Sequence, residues 1–260
     1  MPAAAARWDA RVVLLGASNL TLGLPTILSL TQSRLGRGPK EILVAAGHGR
    51  SYGRWSRVFL RGLPGIIDCG LWGRLPATPD VPTYALVTDI GNDLAYGASP
   101  VELAGWVEAC VDRLAGVGAR IVVTGLPART LARLTPWRYH LLKAVLFPGR
   151  RLSWRTLNQR VVDVNERLTT LAAGAGMPVL EPEPCWYAPD AIHIRRGQRP
   201  AAWRAILSGW DATSAEGRAE GPGPVRCRGL VAECRTVAGV TLRRAQPSGV
   251  LEGGTTVSLF

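Results

Sequence analysis

The sequence predicts an α/β fold built on an open parallel sheet of five strands with helices on both faces. Two observations carry that expectation. Five short apolar runs bounded by turn residues read as buried strands. The segments between them are long enough for crossover helices, and several show apolar residues at helical spacing.

The elements follow in order. Residues 11–16 form the first strand and end in Gly16-Ala17-Ser18, with a helix expected over 20–35. Residues 41–46 form the second strand and run into Gly47-His48-Gly49. The apolar spacing of 51–63 predicts a helix. Residues 83–90 form the third strand, followed by Gly91-Asn92-Asp93. The helix over 100–116 opens on Pro100, and Val101, Leu103, Ala104, Val107, Val111 and Leu114 mark its apolar face. Residues 119–125 form the fourth strand. A helix over 156–174 carries Leu157, Val161, Val164, Leu168 and Leu171. The fifth strand covers 177–181, and Asp190-Ala191-Ile192-His193 follows it in a loop.

Three stretches stand outside this alternation. Residues 128–153 interleave arginines with Trp137, Tyr139 and aliphatic side chains and are too long for an ordinary connection. They read as a helical insertion: a packed helix pair first, with an amphipathic membrane-surface patch or an anionic-substrate funnel as rivals. Residues 211–224 are rich in Gly, Ser, Ala, Glu and Pro and read as a linker after a main domain over 1–210. Residues 225–260 form a small β-like extension with runs at 237–243 and 255–260. A β-hairpin packed on the main domain and a partly disordered tail are both open.

Composition narrows the functional classes. At 260 residues, 47% of them hydrophobic, the chain can bury a sizeable core and is not disordered. Its start lacks the pattern of a signal peptide, and its apolar runs are too short to cross a bilayer, so the expected location is cytoplasmic. Five cysteines without zinc-like spacing read as free thiols. The net charge of +12 is almost all arginine. Without a nucleic-acid-binding motif, it reads as solvated arginine surface, and no specific nucleic acid is expected as a partner.

In an open parallel sheet, ligands sit beyond the carboxyl ends of the strands where the strand order reverses. If the order is 2-1-3-4-5, the first strand lies between the second and third, and the motifs after all three converge on one crevice. Ser18 then stands at the mouth of a helix, as the candidate nucleophile. The backbone N–H groups of Ser18 and Gly49 and the amide of Asn92 are candidate oxyanion donors. His193 is the candidate base, with Asp190 three residues before it to bind Nδ1 and fix the tautomer. His48 is the rival base or a substrate contact, and Ser51 beside it the rival nucleophile. His140 reads as surface, and Asp93 reads as a stabiliser of its own turn.

The ordered set Gly-x-Ser, Gly, Gly-Asn-Asp and Asp-x-x-His resembles the SGNH (GDSL-like) hydrolase superfamily of esterases, lipases and acyl-ester hydrolases, over residues 11–210. The resemblance implies a flavodoxin-like three-layer α/β/α sandwich, a serine nucleophile and no metal or organic cofactor. Carried over, the four family residues are Ser18, Gly49, Asn92 and His193, the last with Asp190. The chain departs from the family pattern where Ala17 replaces the usual aspartate and Asn19 follows the serine. Asn19 and His48 are taken as substrate contacts. In the second block Gly47 and Gly49 both qualify, and Gly49 is chosen by its distance past the strand. The expected activity is serine-dependent hydrolysis of a carboxylic ester, the substrate a small molecule or a lipid. An acyltransferase on the same site and an inactive binding module with the same fold are the rivals.

Overall fold

The computed structural model describes residues 8–36, 38–135, 153–211, 227 and 229–260. Among these, β1 (Ala10–Leu15), β2 (Lys40–Ala45), β5 (Thr83–Val87), β6 (Arg120–Thr124), β7 (Val179–Leu180), β10 (Gly249–Val250) and β11 (Thr256–Leu259) form a seven-stranded sheet in the order β10-β11-β2-β1-β5-β6-β7. The five strands expected from the sequence are its β2-β1-β5-β6-β7 portion, in the 2-1-3-4-5 order and all parallel. The count of five is corrected to seven. β11 adds parallel to β2, and β10 folds back antiparallel on β11. The final segment therefore extends the central sheet through ladder hydrogen bonds that no local pattern announces.

Every residue of β1 and β2 is buried, as a strand covered on both faces requires. The period-2 alternation divides β1 between two cores. Val12 and Leu14 pack with Leu20, Leu24 and Ile27 of α1 (Ser18–Arg34) and with Trp203 and Ile206 of α6 (Arg199–Leu207). Val13 and Leu15 pack with Leu103 and Val107 of α3 (Pro100–Gly116) and with Val161 and Val164 of α5 (Trp154–Ala175). This is a three-layer α/β/α sandwich.

The helices start where their sequences direct. α3 has a capping box in which Ser99 and Glu102 each accept from the other's backbone, with proline in the first turn. α5 is capped by Ser153 and stopped by Gly176 at φ 62°. At the end of the sheet away from the crevice, buried Arg11 bonds Glu41 at 2.7 Å and Asp80 at 2.6 Å.

Residues 51–63 do not form the expected helix. After the buried Ser51 and Tyr52 and an exposed turn they become β3 (Ser56–Val58) and β4 (Arg61–Leu63), two strands of a four-stranded antiparallel sheet ordered β3-β4-β8-β9. β8 (Cys234–Val237) and β9 (Val240–Arg243) come from the final segment, so the partner that makes 56–63 extended lies about 180 residues along the chain. Of the 128–153 insertion, α4 (Ala128–Ala132) is described; residues 136–152, including His140, residues 212–224 of the expected linker and residues 225–226 of the expected extension lie outside the described residues. Among the described residues, no helix is long and apolar enough to cross a membrane.

Candidate active site

The crevice forms at the carboxyl ends of β1, β2 and β5. Gly16 closes β1 where a Cβ would meet Thr88 Cγ2 at 2.9 Å and Leu20 at 3.1 Å, so only glycine lets the chain turn here. Ala17 then holds φ −132° and ψ −125°, outside the strand and helix regions, and Ser18 opens α1. The α1 N-terminus has no local side-chain cap. Asp89, after β5, supplies one from 72 residues away: its Oδ2 accepts from Ala17 N–H at 3.1 Å and Leu20 N–H at 2.9 Å. Asp89 itself sits at φ 56°, a conformation that favours glycine, asparagine and aspartate.

The loop after β7 is built around Asp190. Its Oδ1 accepts from the N–H groups of Ile192 and His193 at 2.9 Å each, and its Oδ2 lies 2.8 Å from His193 Nδ1. Ala191 takes φ 58° to make the turn. Burial would raise the Asp190 carboxyl, but the bonds from the His193 ring and the two N–H groups outweigh it and hold it below the usual carboxylate range. In return, the Asp190 hydrogen bond raises the His193 imidazole above its ordinary value, against partial burial.

Asn19 joins these two regions. Its Nδ2 donates to Asp89 Oδ1 at 2.8 Å and to Ile192 O at 2.9 Å, and its Oδ1 accepts from Ile194 N–H at 2.8 Å. Both amide hydrogens and the carbonyl are therefore engaged within the protein. Asn19 thereby binds the helix start of Ser18 to the loop of His193, and it also lines the cavity at Ser18.

The second block is held by Asp93. Its Oδ1 accepts from the Ser51 hydroxyl and its Oδ2 from Tyr52 N–H at 2.9 Å, while Ser51 Oγ accepts from Arg54 N–H at 2.9 Å. Ser51 is fully buried and satisfied in both roles, which removes it as a rival nucleophile. Burial pushes the Asp93 carboxyl up. Arg50, also fully buried, donates to Pro64 O at 3.2 Å and to the backbone oxygen of Phe260. The last residue of β11's run is thereby fixed beneath the second block.

Gly49 adopts φ 62°; a Cβ there would meet Val58 Cγ2 at 2.4 Å and the Tyr96 hydroxyl at 2.8 Å. Its carbonyl accepts from the Tyr96 hydroxyl at 2.6 Å. Asn92, the first residue of α2 (Asn92–Ala95), donates one amide hydrogen to Arg50 O at 3.1 Å. His48 is exposed; partial burial of its ring and the nearby His193 lower its proton affinity.

Ser18, Asn19, Asp89 and Asn92 line a cavity of about 120 Å³ together with the apolar side chains of Ile90, Leu126, Leu131, Leu157, Val161 and Ile206. His193 and Gly49 are not among its lining residues; its neighbours Ala191 and Ile192 are. Among the described residues no cluster of His, Cys, Asp or Glu could hold a metal ion.

Sequence spacing singled out Asn92, Asp190 and His193 from their motifs; Asn92 lies at the cavity and Asp190 on the His193 ring. Spacing missed Asp89 and the linking role of Asn19, because the bonds that define them span 69 residues or more. The one available signal for Asp89 was an acid in the same after-strand turn as Asn92.

No protein-family model matches the chain, and no curated protein matches it. Solved structures do. A carbohydrate acetylesterase family member from Sinorhizobium meliloti is 13% identical, with 77% of this chain and 98% of that one covered at a TM-score of 0.51. The psychrotrophic esterase EstA from Pseudoalteromonas sp. is 10% identical, covering 78% and 98%, at a TM-score of 0.48. The aryl esterase of M. smegmatis is 16% identical, covering 76% and 97%, at 0.46. The chain shares the α/β/α fold of the acetylesterase family member.

Proposed function

We propose that this chain is a serine-dependent hydrolase of carboxylic esters. The observation that carries the reading is the Asp190–His193 pair, tied through Asn19 to the helix start that presents Ser18 at a mainly apolar cavity. Ser18 Oγ attacks the ester carbonyl while His193 Nε2 takes its proton. Asp190 holds the imidazole through Nδ1 and stabilises the imidazolium that forms. The N–H groups of Ser18 and Gly49, with the amide hydrogen of Asn92 not given to Arg50, receive the oxyanion. His193 returns the proton to the leaving alcohol. Water, deprotonated by His193, then cleaves the acyl-enzyme and regenerates Ser18. The apolar lining of the cavity suits the acyl chain.

A fluorophosphonate probe tests this without a guess at the substrate. The expected result is a covalent adduct on Ser18, mapped by mass spectrometry and lost in His193→Ala. A folded protein that takes no adduct on Ser18 overturns the reading.

A further inference from the structure

The four-stranded sheet has no part in the chemistry above, yet its strands adjoin the crevice. Val58 of β3 packs where a Cβ of Gly49 would lie, and Leu63 of β4 does the same at Gly47. Arg61 is close enough to His48 to lower its proton affinity. Two hairpin turns meet at one end of this sheet, joined by the hydrogen bond from Ala238 N–H to Leu60 O at 2.9 Å. That end is apolar and open: Phe59 is 93% exposed, Leu60 67% and Val240 62%.

Phe59 occupies the first central position of a two-residue turn at φ 52°, where hairpins use glycine. A bulky aromatic in the left-handed region, with its ring in water, gains nothing for the fold by burial or by backbone preference. Arg57 and Arg61 flank it, both exposed. Residues 54–63 and 234–247 hold Arg54, Arg57, Arg61, Arg235, Arg243 and Arg244 and no aspartate or glutamate. Arg54 is paired with Glu102. The protruding shape matters as much as the charge. A protein partner needs a broad complementary face, whereas two apolar side chains on a turn with arginines on either side match an interface of acyl chains under anionic headgroups.

We propose that the tip formed by Phe59, Leu60 and Val240 inserts into an anionic lipid surface, with Arg57 and Arg61 on the headgroups. The tip would then bring the crevice beside Gly49 and His48 to the membrane surface. The proposal stands apart from the catalytic reading, since binding is measured without turnover.

The test is co-sedimentation of the full chain with vesicles of phosphatidylglycerol and phosphatidylcholine, against vesicles of phosphatidylcholine alone. The expected result is binding to the anionic vesicles that weakens with salt. Phe59→Asn, which suits the turn backbone, should lower the affinity about tenfold through the lost apolar burial. Arg57→Gln with Arg61→Gln should lower it about thirtyfold. Circular dichroism verifies that each variant is folded. Absence of binding by the folded protein overturns the proposal, as does binding that neither set of substitutions changes. So does a dimer that Phe59→Asn dissociates, because a second copy would then own the tip.

Discussion

Asp89 and Asp93 stand four residues apart after the same strand, and each accepts hydrogen bonds from two backbone N–H groups or an N–H and a hydroxyl. They do different work. Asp89 is partly exposed and connects the first block to the last: through Ala17, Leu20 and Asn19 it reaches the loop of His193. Asp93 is 1% exposed and connects the second block to the third, by locking Ser51 and Tyr52 beneath Gly49. Asn92, between them, is left to face the cavity. A carboxylate at the crevice aligns segments distant in the chain, while one in the core holds a backbone shape. The burial that raises Asp93 also makes it a poor exchanger of protons with substrate.

The largest expected effect bounds what Asp89 can do through the histidine loop. Asp190→Asn should reduce turnover of a chromogenic ester by about 10⁴-fold, as loss of the orienting carboxylate does in other triads. It should also move the acid limb of the pH–rate profile. In the intact protein that limb lies above the ordinary histidine value, because the base works only when neutral and Asp190 raises His193. The substitution shifts it downward. An unmoved limb would mean that another group, with His48 the nearest, is the base.

Next comes Asn92→Ala, expected to lower turnover by about 10²–10³-fold with little change in KM. Asp89→Ala should follow at about 10²-fold, by displacing the helix start and the Asn19 bridge, with a small change in urea midpoint. Asp93→Ala should reverse that balance. It strands the buried Tyr52 N–H and Ser51 hydroxyl and should destabilise the fold by roughly 3 kcal/mol, read by urea denaturation. Asp93→Asn, which keeps an acceptor, should lose less. If both aspartates reduce turnover and stability alike, the distinction between them fails.

The smallest effect concerns the small sheet. Phe59→Gly should raise stability by about 1 kcal/mol, because glycine adopts φ 52° without strain. A decrease would show that the exposed ring contributes to packing after all.

The two charged partners also set opposite pH limits on stability. His193 is raised in the folded state, so its contribution is present below the unfolded histidine value and lost as pH rises through the raised one. Asp190 is lowered, so its contribution is present above the unfolded carboxylate value and lost as pH falls through the lowered one.

The amino-acid chain announces the parallel strands, the amphipathic helices α3 and α5, and the motifs that end β1, β2 and β5. These signals are local: apolar period, capping residues and turn residues act within a few positions of one another. It announces Asp190 with His193 for the same reason, since three residues span the whole interaction. Tertiary structure alone decided the rest. Residues 51–63 have an apolar spacing that permits a helix, but ladder bonds to 234–237 make them strands. The final run joins β2 because an open sheet edge offers unpaired N–H and C=O groups that another strand satisfies. Asp89 and Asn19 acquire their roles only when β1, β5 and the loop after β7 are brought side by side, since a hydrogen bond fixes distance in space and leaves no trace in the spacing of the chain.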